Sequence, residues 1–149
     1  MNRYLKLAMF VAIVAAVAFA AGQFMPGAWY AGLAKPSWTP PNWLFGPVWS
    51  VLYLMIAVAG WLTWESEAAP SARWLWGGQL VLNGIWSPIM FGWHNITAAL
   101  GVIVVLWIVI AAFIGATRRP VRAAAFLFVP YLVWVSYATA LNFALWRLN

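Results

Sequence analysis

The sequence predicts an all-α integral membrane protein, a five-transmembrane-helix bundle forming one domain over residues 1–149, and three observations predict it. Of 149 residues, 66% are hydrophobic and only 7% charged, with a mean hydropathy of +0.88. Soluble domains carry about 45–50% apolar and about 25% charged residues, so this chain lacks the polar surface to cover itself in water. Five stretches reach the roughly 20 apolar residues that a helix needs to cross the hydrocarbon layer. The cations Arg3, Lys6, Lys35, Arg73, Arg118, Arg119, Arg122 and Arg147 lie at the ends of those stretches, as membrane-anchoring charges do.

The spans are expected at about 4–24, 41–64, 72–91, 96–116 and 121–146. The first follows Arg3 and Lys6, and its Ala18-Phe19-Ala20 resembles a signal-peptidase site. A retained span is the preferred reading, because its length is that of a full crossing and Ala8, Ala12, Ala15 and Ala16 form a small-residue stripe suited to close packing. The second span follows a sixteen-residue connection over Met25–Pro40, rich in Trp, Tyr and Pro; long ordered connections are often lids or binding loops. The third follows the polar break Glu65–Ser71, with Pro70 at its start where a missing N–H costs little. The fourth begins after Gly92-Trp93-His94-Asn95, with Asn95 as N-cap. The fifth follows Thr117-Arg118-Arg119-Pro120. Five crossings put the termini on opposite sides. Six cations lie on the side of the N-terminus and two on the other, so the N-terminus is expected on the cytoplasmic side and the C-terminus outside.

Composition also excludes. With no cysteine, two acidic residues and one histidine, there is no material for disulfides, zinc–thiolate or iron–sulfur sites, and almost none for general acid–base catalysis. No metal site is expected. The net charge of +6 sits at span ends rather than on one basic face, which argues against nucleic-acid binding.

The polar residues within the spans carry the functional reading. Gln79, Asn83, Trp86 and Met90 share one helical stripe; Tyr131, Trp134, Ala138 and Asn142 nearly share another; Trp49 and Tyr53 follow suit on the second span. These groups can be interhelical hydrogen-bond glue, at about 0.6 kcal/mol each, or the walls of a pocket. Of thirteen tryptophans, Trp29, Trp38, Trp43, Trp61, Trp64, Trp74, Trp76, Trp93 and Trp146 fall near span ends and suit an interfacial belt. Trp49, Trp86, Trp107 and Trp134 lie deeper, and Trp107, without polar neighbours at helical spacing, is read as packing or lipid contact. Pro47, Pro88 and Pro130 are expected to interrupt the three stripe-bearing spans. The result is a pocket walled by aromatics beneath the first loop, suited to a flat, largely apolar ligand and not to an ion.

Three motifs then resemble one family. Lys35-Pro36-Ser37-Trp38-Thr39-Pro40-Pro41-Asn42-Trp43 with Pro47-Val48-Trp49-Ser50-Val51-Leu52-Tyr53, Gln79 through Pro88, and Val129-Pro130-Tyr131-Leu132-Val133-Trp134 with Ala138 through Asn142 are similar, in order, to signatures of the tryptophan-rich sensory protein or translocator protein (TspO) family, in a bacterial-type member. The resemblance implies a five-helix bundle, often a homodimer, that binds porphyrins such as protoporphyrin IX and haem as ligands, with no cofactor required, and also sterol-like and drug-like ligands. By motif position Trp49, Trp134, Trp29 or Tyr30, Asn83, Ser87 and Ala138 match pocket positions, and with Trp38 of the first loop and the stripe residues Tyr53, Trp86, Tyr131 and Asn142 they make up the candidate ligand-binding residues. Trp49 and Trp134 match the tryptophans implicated in light- and oxygen-dependent porphyrin breakdown and would be the catalytic pair if that reaction occurs. The mammalian sterol motif needs a tyrosine that Leu141–Arg147 lacks, against physiological sterol binding.

Three function classes follow: a porphyrin-binding receptor, sensor or carrier; a porphyrin-degrading enzyme; and a transporter of tetrapyrroles or sterols, or a structural membrane protein. The absence of mid-membrane charge and of an inverted repeat argues against transport. His94, the one conventional axial haem ligand, is expected at the surface, and Asn95-Ile96-Thr97 is read as a chance glycosylation sequon.

Overall fold

A computed structural model describes residues 1–68 and 70–149. Among them the regular elements are all helical: α1 (Arg3–Gly22), the short α2 (Ala28–Ala31), α3 (Phe45–Glu65), α4 (Pro70–Ser87), α5 (Ile96–Thr117) and α6 (Arg122–Leu148). A 3-10 turn (Asn42–Leu44) leads into α3, and a π-helical segment (Pro88–Gly92) extends α4. The five long helices follow the expected stretches within a few residues. α1, α3 with its leading turn, α5 and α6 are each long and apolar enough to cross a membrane. α4 falls below that mark because Arg73, Gln79 and Asn83 dilute its apolar content; Gln79 and Asn83 face inward, where both are buried.

The long helices close into a ring in the order α1–α3–α6–α5–α4, and α3 and α4, consecutive in sequence, touch only sparsely. Ile56, Ile110, Phe113, Phe128 and Tyr131 fill the middle of the bundle, while Tyr30, Met90, Leu141 and Leu145 form a second apolar cluster under α2. Outward faces are apolar too, with Val81, Val105, Ile108 and Val133 exposed, as expected of surfaces that meet lipid rather than water.

Two close approaches between long helices need glycine. A Cβ on Gly60 would lie 2.4 Å from the Trp76 ring, and one on Gly84 would lie 2.9 Å from Val17, so these positions let α3 and α1 press against α4. Trp76 is therefore a core residue, 5% exposed and donating its indole N–H to the Ile56 carbonyl at 2.9 Å, not the interfacial anchor its place near a span end suggests.

Other expectations are corrected. α1 turns Val14 and Ala21 inward and leaves Ala8, Ala12, Ala15 and Ala16 exposed, because Phe10 and Val17 offer more apolar area to α3 and α4 than the alanines do. Pro47 lies in the first turn of α3, where no intrahelical bond is lost; Pro88 opens the π segment, and Pro130 alone sits within a continuous helix. Trp107 does have a polar partner, Ser136 Oγ of α6, at 2.7 Å. Asn95 caps α5 as expected, its side chain accepting from the Ala98 N–H at 2.9 Å.

Contacts between the loops fix the two ends of the bundle. Lys6 pairs with Glu65 at 2.7 Å and Arg3 lies over Trp61, so the chain start meets the end of α3. At the other end Trp29 stacks on His94 at 4.3 Å, and the Asn149 side chain both accepts from the Ala34 N–H and donates to its carbonyl. The first loop, the α4–α5 turn and the C-terminus thus share one end.

Candidate functional site

An aromatic-walled cavity of about 290 Å³ lies in the half of the ring nearest the first loop, at the lower edge of the roughly 300–1,000 Å³ typical of small-molecule sites. Trp49 and Tyr53 enter it from α3, Asn83, Trp86 and Ser87 from α4, and Trp134 and Ala138 from α6. The period of the helix dictates this convergence: residues three, four and seven apart share a face, and each of the three helices turns that face to the ring's centre. α1 contributes Ala18, Ala21 and Gly22, the chain just beyond it Phe24, Met25 and Pro26, and α5 adds Ile103 and Leu106. Among the lining residues Gly22, Met25, Gly46 and Ser50 are exposed, so the cavity opens between the end of α1 and the start of α3.

The walls are rings in mutual contact. Trp49 lies 5.3 Å from Tyr53 and edge-on to Tyr131 at 6.2 Å, while Phe45 meets Trp134 edge-on at 5.9 Å. Such tilted and edge-to-face pairs fix ring planes better than simple apolar packing does. Phe24 reaches the cavity past Gly92, whose missing Cβ would stand 2.8 Å from its ring.

A hydrogen-bonded chain forms the polar floor. Tyr53 Oη donates to Asn83 Oδ1 (3.0 Å), Asn83 Nδ2 donates to Tyr131 Oη (2.8 Å), and Tyr131 Oη donates to Gln79 Oε1 (2.9 Å). It links α3, α4 and α6, and Asn83, Tyr131 and Gln79 are buried. The glue and pocket readings therefore coincide: Tyr131 and Gln79 are structural members of the chain, while its Tyr53 and Asn83 end is presented to the cavity. Beside it, the Trp134 indole N–H is buried with no acceptor among the described residues, an uncommon condition that a ligand's acceptor would relieve.

Five of the candidate residues do not line the cavity. Tyr131 lies beneath it in the hydrogen-bonded chain. Asn142 accepts from the Trp86 indole at 3.1 Å and donates to the Ile96 carbonyl at 3.2 Å, holding Trp86 in place from behind. Trp29 is spent on the His94 stack. Tyr30 is buried against Phe91, with Lys35 Nζ 4.9 Å from its ring, and burial, seconded by Tyr137, pushes its phenol above the ordinary value of 10.0. Trp38 packs on Tyr137, whose hydroxyl donates to its carbonyl. These contacts tie Trp29, Tyr30 and Trp38 to the helix ends, on α6, the π segment and the α4–α5 turn, so that of the first loop only Met25 and Pro26 reach the cavity. Sequence reasoning missed the share of α1 and α5; the small residues Ala18, Ala21 and Gly22, which leave room for a ligand, were the available signal.

The donor set is an indole N–H, an amide and hydroxyls among ring faces, with no charged group and no histidine in the lining. It suits a planar, largely apolar ligand held by faces and a few hydrogen bonds. His94 lies at the exposed turn, outside the cavity.

Fold and site together define a multi-pass helical membrane protein with a tryptophan-walled cavity in one half of its bundle. The profile of the TspO/MBR family matches residues 9–147. The chain belongs to that family. It is 42% identical over 130 residues to Protein CrtK of Rhodobacter capsulatus, covering 85% of this chain and 81% of that one. It is 37% identical over 140 residues to the tryptophan-rich sensory protein of Cereibacter sphaeroides (94% and 89%), and 39% identical over 139 residues to the human translocator protein (88% and 82%).

Proposed function

We propose that this protein is a five-span membrane receptor or carrier that takes a porphyrin-class macrocycle into the cavity of α3, α4 and α6. The observation that carries the reading is the convergence of Trp49, Tyr53, Trp86 and Trp134 on one uncharged cavity with an unsatisfied indole N–H. Ring faces match a planar conjugated ligand, and the Trp134 N–H and Tyr53–Asn83 floor supply its few polar contacts. A macrocycle larger than the enclosed volume seats with its polar rim in the opening between α1 and α3. The lining offers no axial nitrogen, so the donor set fits a metal-free porphyrin better than haem.

In this reading α4 is the fifth span, its polar stripe turned inward. The six-to-two division of Lys and Arg puts the N-terminus on the cytoplasmic side, and the cavity then lies in the outward half. Names of relatives containing "sensory protein" and "translocator protein" support a sensing or transport role. A second reading has one supporting observation: Trp49 and Trp134 both line the cavity, where easily oxidised indoles would stand against an illuminated macrocycle.

One experiment tests both. Purified protein is titrated with protoporphyrin IX in the dark, following tryptophan quenching, and is then illuminated in air while the porphyrin spectrum is recorded. Saturable dark binding with a stable spectrum supports the receptor or carrier, and protein-dependent bleaching supports degradation. No saturable quenching sinks both.

A further inference from the structure

The end of the bundle away from the first loop carries chemistry that the cavity does not use. Arg3, Lys6, Arg73, Arg118, Arg119 and Arg122 gather there, while the chain's two acids are Glu65 and Glu67. Lys6–Glu65 is the one ion pair among the described residues. Arg118 and Arg119 stand exposed on the turn between α5 and α6, and Arg122 stands exposed at the first position of α6.

On the adjoining corner two guanidinium groups lie on indoles: Arg3 is 5.1 Å from the Trp61 ring centroid and Arg73 is 5.7 Å from that of Trp64. A guanidinium held by its face keeps its in-plane N–H fork for another partner, whereas one bound to a carboxylate has spent it. Arg73 Nη2 makes one long contact, 3.3 Å to the Ser66 carbonyl. Arg73 Nε and Trp61 Nε1 are buried with no acceptor among the described residues. Those two atoms are closed to solvent, so what an acceptor from outside the chain meets at this corner is the exposed Arg3 guanidinium, which makes no hydrogen bond among the described residues, together with the outer edge of Arg73.

We propose that this end is a docking surface for anionic phospholipid, with a phosphodiester headgroup seated on the arginine–indole corner and further headgroups on the three-arginine turn. Arginine matches phosphate geometry with its fork, and indoles sit at headgroup depth. A zwitterionic headgroup brings an ammonium whose available partners are two glutamates, one already engaged by Lys6, so the lipid without a cation is favoured. The other end has no such cluster: Lys35 is bound to the Ala31 and Leu33 carbonyls at 3.0 and 3.2 Å, which leaves Arg147. The surface is independent of what the cavity binds.

The test reconstitutes the protein in nanodiscs of phosphatidylcholine with a minor share of phosphatidylglycerol, strips bulk lipid with mild detergent and quantifies retained lipid by mass spectrometry. Wild type is expected to retain phosphatidylglycerol selectively. Changing Arg118, Arg119 and Arg122 to Gln should cut retention by about fivefold for each arginine. Arg73→Lys, which keeps the charge and loses the fork, should lower it as well and serves as a second variant if the triple change disturbs the turn. Lys35→Gln with Arg147→Gln should leave retention unchanged. Equal retention of both lipids by wild type, or wild-type retention by both variants, overturns the proposal. So does displacement of phosphatidylglycerol by millimolar glycerol phosphate or inorganic phosphate, which would mark a free-anion site.

Discussion

Tyr131→Phe removes one oxygen from the centre of the bundle and nothing else. That oxygen accepts from Asn83 and donates to Gln79, at 2.8 and 2.9 Å, in a residue with no exposed surface. Gln79 Nε2 already has no acceptor among the described residues, so the substitution strips the Gln79 side chain of its last partner there and leaves Asn83 Nδ2 unpaired. Interhelical hydrogen bonds in membranes average about 0.6 kcal/mol and reach about 1.7, and two are lost here. Stranding a buried polar group raises the cost further. The expected loss is about 1–3 kcal/mol. Tyr53→Phe removes only the outer bond, beside the cavity where water can replace it, and should cost about 0.6 kcal/mol. Reversible unfolding in mixed micelles with a rising fraction of denaturing detergent, followed by circular dichroism, measures both. Wild-type stability in Tyr131→Phe, or a larger loss in Tyr53→Phe, would show that the chain does not hold α3, α4 and α6 together.

Gly60→Ala should destabilise by about 1–3 kcal/mol, because its methyl would meet a Trp76 ring fixed on the Ile56 carbonyl. Trp76→Phe shortens that ring, so the double variant should lose less than the sum of the singles in the same unfolding assay. Trp134→Phe breaks no hydrogen bond; it should change stability by less than about 1.5 kcal/mol while lowering dark protoporphyrin IX affinity severalfold. Trp107→Phe, on the outer face of α5, should leave that affinity alone, and equal effects of the two would misplace the cavity's ligand. The Tyr30 phenol, held above its ordinary value by burial and then by Tyr137, favours the neutral form in the fold. Its contribution is therefore complete below pH 10.0 and lost as pH rises through the elevated value. Tyrosinate absorbance in wild type and Tyr30→Phe should show the missing transition above that pH.

The helices were legible because crossing a membrane imposes a length and an apolar composition that few other elements satisfy, and their ends carry Pro70, Asn95 and the Arg118–Arg119 pair. The cavity's α3, α4 and α6 walls were legible for a related reason: Asn83 and Trp86, or Trp134 and Ala138, stand at helical spacing amid aliphatic residues, where polarity is conspicuous. Trp76 was misread because depth along a helix says nothing about which way a ring points; that depended on Gly60, a residue of another helix. The alanines of α1 misled similarly, since small residues permit close packing without requiring it. Trp29, Tyr30 and Trp38 carried the chemistry of a lid, but their partners, His94, Phe91 and Tyr137, lie far along the chain, and no local pattern announces such pairs. The π segment after Ser87 was invisible because Pro88 alone does not distinguish a kink, a break or a widened turn.

The order of the helices around the ring has a consequence for synthesis. α3 and α4 leave the ribosome consecutively, yet the ring sets α1 between them on one side and α6 with α5, both made later, on the other. Tyr53 cannot be joined to Gln79 until Tyr131 arrives, and Trp49 has no Trp134 to face until then. A nascent chain ending in α5 therefore holds four long helices and a cavity that lacks its Trp134–Ala138 wall. On the proposed reading a macrocycle would find its complete site only once α6 has packed, and one bridging α3 to α6 would report that packing.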